Sequence, residues 1–181
     1  MTSLKSMTPA LAGWIGITQA ALYERQRVLV RAGLLHAEPG RGPGSGVRAT
    51  PQSVAMLMIA VLATESLSEV DEQSKILARL RSRPGPCPLT GKTTFVAALT
   101  AVFASQETSR QIIQIEALRG VSWANAAIVY KPMTDALGNS RSVFGREAFG
   151  RLPGLSVRTE LWVPFARIAD SLAAESQGKK G

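Results

Sequence analysis

Long polar side chains recur at every fourth position in one stretch of the chain, at Gln19, Tyr23, Arg27 and Arg31. This spacing places them on one face of an α-helix. Glutamine and arginine are the side chains that form paired hydrogen bonds to adenine and guanine edges, and arginine also pairs with phosphate. The pattern predicts a helix face that contacts duplex nucleic acid.

The charge of the chain is concentrated around this face. The 181 residues carry a net charge of +8, and residues 1–50 hold six cations against two anions. A basic excess predicts a polyanionic partner. We expect Gln19, Ala20, Tyr23 and Arg27 to meet base edges. The residues expected at phosphates or the minor groove are Thr18, Arg25, Arg31, Arg41 and Arg48.

Two helices joined by a tight turn must position these side chains. Thr8 followed by Pro9 is typical of a helix start, and Gly16 supplies the turn that ends the helix. Thr18 is then the expected N-cap of a second helix that runs to Ala32. The polar face of that second helix would point away from the first one.

Residues 8–50 resemble the winged helix-turn-helix of bacterial and phage transcription regulators, whose pattern is L-A-x-x-L-G-V-S-Q-A-A-V-S-R followed by a leucine and A-G-L-I. The matching positions are Leu11, Ala12, Ile15, Gly16, Ile17, Thr18, Gln19, Ala20, Ala21, Leu22, Leu29, Ala32, Gly33, Leu34 and Leu35. The resemblance implies that residues 18–32 form a recognition helix in the major groove. It also implies that residues 36–50, rich in glycine and proline, form a wing on the minor groove or phosphates. The layout is similar to the minimal winged helix of MerR-like regulators and excisionases.

The next segment, residues 51–83, is predicted to be helical and to join two copies of the chain. Its first helix begins at Thr50-Pro51 and is apolar on every face, so it must be buried. Either this helix closes the small N-terminal core or a partner chain does. The two helices of the segment form either a hairpin or one bent helix. The expected dimer interface comprises Val54, Leu57, Met58, Val61, Val70, Leu77 and Leu80.

A proline-rich stretch, residues 84–89, cannot be helical and predicts a linker. Residues 90–175 then show the order α-β-β-β-α, and residues 176–181 predict a disordered tail. The three strands are expected at 111–118, 124–131 and 157–163. The fold class is therefore α+β, with an N-terminal winged helix-turn-helix, a helical segment and a C-terminal α-β-β-β-α module.

The sequence predicts neither an enzyme nor a cofactor or metal site. Thr90-Gly-Lys-Thr93 is similar to the end of a phosphate-binding loop, but it lacks the first glycine and a preceding apolar strand. Cys87 and His36 each occur once, which excludes a disulfide framework and a multi-histidine metal centre. The longest apolar run, 54–63, is about half of a membrane-spanning helix. A soluble, cytoplasmic protein without a membrane partner is expected.

The function predicted from these features is that of a sequence-specific double-stranded DNA-binding transcription regulator, such as a repressor, acting as a homodimer. Two alternatives stay open. The same winged helix serves excisionase-like or architectural factors that bend DNA for a mobile element. A basic face also serves a protein-interaction adaptor with an acidic partner. The C-terminal module would add an interface, sense a small molecule or bind an unidentified protein.

Overall fold

A bundle of helices packs against an antiparallel sheet that the C-terminal half of the chain supplies for the most part. The computed structural model describes residues 3–40, 46–120, 124–132, 138–145 and 157–177. The helices are α1 (Leu4–Ile15), α2 (Gln19–Arg31), α3 (Pro51–Ala63), α4 (Val70–Arg79), α5 (Phe95–Ala104), α6 (Gln106–Gln111) and α7 (Phe165–Gln177). The strands are β1 (Ala37–Glu38), β2 (Gly46–Val47), β3 (Ser82–Arg83), β4 (Ile112–Arg119), β5 (Ala124–Tyr130), β6 (Ser140–Phe144) and β7 (Val157–Leu161). The α+β class predicted from the sequence is confirmed.

Helix α1 begins one turn earlier than its proline suggests. The Ser6 N–H donates to the Ser3 hydroxyl at 3.1 Å, so Ser3 is the N-cap. The expected cap, Thr8, is wrong because this residue lies inside the helix, where its hydroxyl donates to the Leu4 carbonyl at 3.1 Å. Pro9 lies within α1 as well. An earlier polar cap therefore overrides the Thr-Pro signature.

Helix α2 begins after Thr18 and ends before Ala32, as its capping residues predict. Gly16 has a φ of 81°, which the turn after α1 requires and which L side chains rarely adopt. The Thr18 hydroxyl accepts from the Ala21 N–H at 3.1 Å, as expected of the N-cap. After α2, strands β1 and β2 form a two-stranded antiparallel hairpin. An isolated bridge between Ser3 and Arg48 connects the start of α1 to this hairpin.

Helix α3 occupies the centre of the molecule. Thr50 and Ser53 form a reciprocal capping box at its start. Its apolar residues pack against α2 on one side and against α4 and α5 on the others. Burying each leucine or methionine contributes about 1.5–3 kcal/mol. Helix α3 of the same chain therefore closes the small N-terminal core, which is one of the two arrangements that the sequence leaves open.

Helices α3 and α4 are separate, with a short 3-10 turn at Leu67–Glu69 between them.

The predicted dimer interface on α3 and α4 is wrong, because this chain covers it. Val54, Leu57, Met58, Val70 and Leu77 have no exposed surface. Val61 and Leu80 are half-buried and pack on the same core. Helix α5, which belongs to the second half of the chain, lies against α3 and supplies the surface that a partner was expected to provide.

The larger sheet has the strand order β3-β6-β5-β4-β7, with every neighbouring pair antiparallel. Helices α3 and α4 lie against this sheet, α3 at β4 and β7 and α4 at β5. Helix α5 reaches it through Phe95, whose ring lies 5.2 Å from that of Phe144 in β6, and the Phe103 and Phe165 rings join α5 to α7 at 6.3 Å. The predicted order α-β-β-β-α omits β3, β6 and α6. Strand β3 is only two residues long, and β6 lies in a turn-rich stretch, so neither has a clear local signal.

The segment 84–89, which the sequence predicts to be a linker, is anchored in the core at Cys87, while Pro84, Pro86 and Pro88 are exposed. Cys87 is buried, its N–H donates to the Lys92 carbonyl at 2.8 Å, and its thiol lies 3.3 Å from the Ser142 hydroxyl. The hydrophobic core is continuous from Leu4 to Leu172. At the C-terminus, α7 continues two residues into the expected disordered tail, and 178–181 lie outside the described residues.

Within the described ranges, every helix is too short or too polar to cross a lipid bilayer.

Replacing Leu57 with alanine tests whether α3 belongs to the core of one chain. We expect Leu57→Ala to lower the free energy of unfolding by about 2–5 kcal/mol, because it leaves a cavity among fully buried side chains. The control Leu57→Met preserves volume and should cost less than about 1.5 kcal/mol. Urea denaturation measures both. Dissociation of an oligomer by Leu57→Ala without a loss of folding stability would contradict this assignment.

Candidate nucleic-acid interface

The predicted polar face of α2 is exposed along the whole helix. Leu22 and Leu29, on the opposite face, have no exposed surface and anchor α2 against α1 and α3. From the first to the last residue of α2 the distance along the axis is about 18 Å, at 1.5 Å per residue. The exposed residues on the outward face are Thr18, Gln19, Ala20, Tyr23, Arg27 and Arg31.

Arg25 lies on the inward side of α2, so its assignment to DNA phosphates is wrong. Only 9% of the residue is exposed. Its Nη2 donates to the carbonyls of Thr64 and Glu65, at 3.1 and 3.3 Å, and its Nη1 donates to the carbonyl of Ala21 at 3.3 Å. Burial lowers the pKa of Arg25 below its ordinary value, while the nearby Glu65 carboxylate acts in the opposite direction. The guanidinium group connects α2 to the C-terminal end of α3.

The position of Arg25 relative to the apolar residues was a signal that could have revealed its structural role. Arg25 lies three residues after Leu22 and four before Leu29, and this spacing puts it on the apolar face. Gln26, which shares that face, is also buried. A cation on such a face is stable only where acceptors meet it, and the carbonyls at the end of α3 are supplied by a distant part of the chain.

The remaining arginines of α2 differ in their partners. Arg27 forms an ion pair with Glu24 one turn away, with 3.0 Å between Nη1 and Oε1, and its side chain is 56% exposed. An ion pair at this exposure contributes little to stability and is readily exchanged for another partner. Arg31 is exposed and makes no ion pair with the part of the chain that the structure describes. Both guanidinium groups are therefore accessible to an external anion.

Helix α1 adds a further cation, Lys5, to this face. The Lys5 ammonium lies 5.7 Å from the centroid of the Tyr23 ring, within the range of a cation–π contact. Lys5 belongs to the face because α1 begins at Leu4, and an expected start at Thr8 left it outside any helix. The contact holds Tyr23 beside a positive charge.

The described part of the hairpin carries one exposed arginine. The Arg48 Nη2 atom lies 3.4 Å from the Glu38 Oε1 atom across the two strands, and the His36 Nε2 atom lies 3.9 Å from the same oxygen. Arg48 is exposed and borders the region where β2 meets α3. The other predicted wing arginine, Arg41, lies outside the described residues.

Tyr130 and Trp162, the two polar aromatic residues of the second half that the structure describes, differ in their surroundings. Tyr130 is buried, whereas Trp162 is 60% exposed just beyond β7. Trp123 lies outside the described residues. Within the described residues, no group of three or more histidine, cysteine, aspartate or glutamate side chains is placed to hold a metal ion.

No protein-family model matches the chain, and comparisons with curated proteins and with solved structures also find no match. The candidate interface therefore rests on the geometry and charge of α2, α1 and the hairpin.

Two neighbouring arginines of α2 offer a matched test of the inward and outward faces. We expect Arg25→Ala to lower the free energy of unfolding by about 2–3 kcal/mol, because the Thr64 and Glu65 carbonyls lose a charged donor. Arg27→Ala should change it by less than about 0.5 kcal/mol. Urea denaturation of both variants measures the difference. Equal effects of the two substitutions would contradict the assigned orientation of α2.

Proposed function

We propose that this protein is a sequence-specific double-stranded DNA-binding transcription regulator that inserts α2 into the major groove. The observation that carries the proposal is the outward face of α2, where Gln19, Tyr23, Arg27 and Arg31 are all exposed while the opposite face is fixed in the core. The major groove is about 12 Å wide and accepts one α-helix. A rigidly held helix with hydrogen-bonding side chains on its free face suits this role.

The residues near the start of α2 have side chains suited to bases. Gln19 has the donor and acceptor pair that matches the major-groove edge of adenine, and Arg27 has the donors that match guanine. Ala20 between them is small and apolar, so it permits close approach and contacts a thymine methyl group. These residues would determine sequence preference, and Arg27 would exchange Glu24 for a base when DNA binds.

Cationic and polar residues at the borders of the face would hold the DNA backbone. Thr18 and the exposed N-terminal turn of α2 suit a phosphate, because backbone N–H groups and the helix dipole favour an anion there. Arg31 lies at the other end of α2, and Arg48 lies on the hairpin. The hairpin would track the adjacent minor groove or its phosphates, together with the predicted contact of Arg41.

A single helix in one groove contacts few base pairs, so the proposed regulator acts as a homodimer on two half-sites. Two recognition helices separated by about 34–36 Å fit successive major grooves on one side of the duplex. The free energies of the two half-sites then add.

Paired substitutions on two exposed helices test the proposed recognition helix. We expect Gln19→Ala combined with Arg27→Ala to weaken binding to the DNA upstream of the protein's own coding sequence by at least about a thousandfold, because each copy of the dimer loses two base contacts that contribute about 1–3 kcal/mol each. Fluorescence anisotropy at fixed salt concentration measures the affinity.

The control for this test replaces the same residue types on another exposed helix. Gln106 and Arg110 of α6 are exposed and also lie four residues apart. Gln106→Ala combined with Arg110→Ala should leave the affinity unchanged within about twofold. Equal affinities of the two double variants would overturn the role of α2. Salt-sensitive binding that bends DNA without changing reporter transcription would favour the architectural function, and binding only to an acidic protein would favour the adaptor.

A further inference from the structure

Strand β7 forms one edge of the larger sheet. Along its first side it pairs with β4, for example Leu161 with Ile115 and Thr159 with Ala117. None of the other strands that the structure describes lies along its second side. An edge of this kind presents backbone N–H and C=O groups to any further strand that approaches, and it is a common site of strand addition.

Two large apolar side chains, one at the start of β7 and one just after its end, are exposed. Val157 is 44% exposed, and Trp162, which follows the strand, is 60% exposed. Between them, Arg158 and Glu160 lie on the same face of the strand, with 3.9 Å between Nη1 and Oε1. Large apolar side chains next to charged ones are characteristic of a protein interface.

The sequence of β7 is complementary to itself when two copies run antiparallel. With Thr159 opposite the same residue of a second copy, Val157 lies opposite Leu161 and Arg158 lies opposite Glu160. By symmetry the Arg–Glu pair forms twice. Opposite charges that face each other across an antiparallel pair stabilise it, and branched side chains that face each other do so as well.

Other pairings of two β7 strands lose this match. Because side chains alternate along a strand, a shift of the register by one residue would turn one copy over. The charged face of its β7 would then lie on the same side of the joined sheet as the helix-covered face of the other copy. A parallel arrangement in register would place Arg158 opposite Arg158 and Glu160 opposite Glu160, and like charges directly opposite are destabilising. Only the pairing centred on Thr159 keeps the charges complementary and the helices on one side.

We propose that two copies of this chain associate through β7, about a two-fold axis at Thr159. The five strands of each copy then form one continuous antiparallel sheet. The interface is the same patch on both copies, as a two-fold dimer requires. It replaces the interface expected on α3 and α4, whose residues the core of each chain uses.

The inference rests on the proposed function only for the expectation of a homodimer, and its test contains no DNA. A failure of DNA binding and a failure of this interface are therefore distinguishable.

The test reverses one charge of β7 in each of two full-length variants. Arg158→Glu places like charges opposite each other at both pairs, and so does Glu160→Arg. We expect each variant to raise the dimer dissociation constant at least about tenfold. Sedimentation equilibrium measures the mass at micromolar concentration, and far-ultraviolet circular dichroism verifies that each variant is folded. Arg79→Glu, at an exposed position on α4, is the control and should leave the dimer intact.

An equimolar mixture of the two variants gives the decisive result. In a mixed pair, the carboxylates of Arg158→Glu face the guanidinium groups of Glu160→Arg, so both cross-strand pairs are again complementary. We expect the mixture to form heterodimers with about the affinity of the unmodified chain. A monomeric unmodified chain, a dimer that survives Arg158→Glu, or a mixture that stays monomeric would each overturn the proposal.

Discussion

The burial of α3 is the constraint on which the rest of the structure depends. Apart from Gln52 and Ser53 at its start, this helix has no polar side chain, so the rest of its surface requires apolar partners. Helices α2, α4 and α5 provide those partners from both halves of the chain. Because one helix serves both halves, the N-terminal helices and the C-terminal sheet share a single continuous core.

This arrangement separates the cations of α2 into two roles. Arg25 reaches the carbonyl groups at the end of α3 and fixes the rotation of α2 about its own axis. Arg27 and Arg31 then point outward, and Glu24 is the one acidic residue in the described ranges that pairs with either of them, at Arg27. Lys5 approaches the Tyr23 ring on this surface from α1, and the bridge between Ser3 and Arg48 connects the start of α1 to the hairpin. An orientation set by the core thus gives the proposed DNA-binding face its charge.

The sequence predicts those parts of the fold whose signals are local. The Thr18 cap, the Gly16 turn and the outward face of α2 follow from residues within a few positions of each other. The spacing from Leu22 and Leu29 indicates the inward position of Arg25, but its acceptors lie 39 and 40 residues away and no local pattern identifies them. Strand β6 was missed since its neighbours β3 and β5, and not its own pattern, determine it. The α3 interface was misassigned because α5, distant in sequence, covers it.

The salt dependence of DNA affinity shows whether the face of α2 and the hairpin bind duplex DNA. Arg31 and Arg48 in both copies of a dimer would neutralise four phosphates. A plot of the logarithm of the association constant against the logarithm of the salt concentration should then have a slope of about −4. Between about 50 and 200 mM salt this is a loss of about a hundredfold. A slope near zero on duplex DNA would contradict the account.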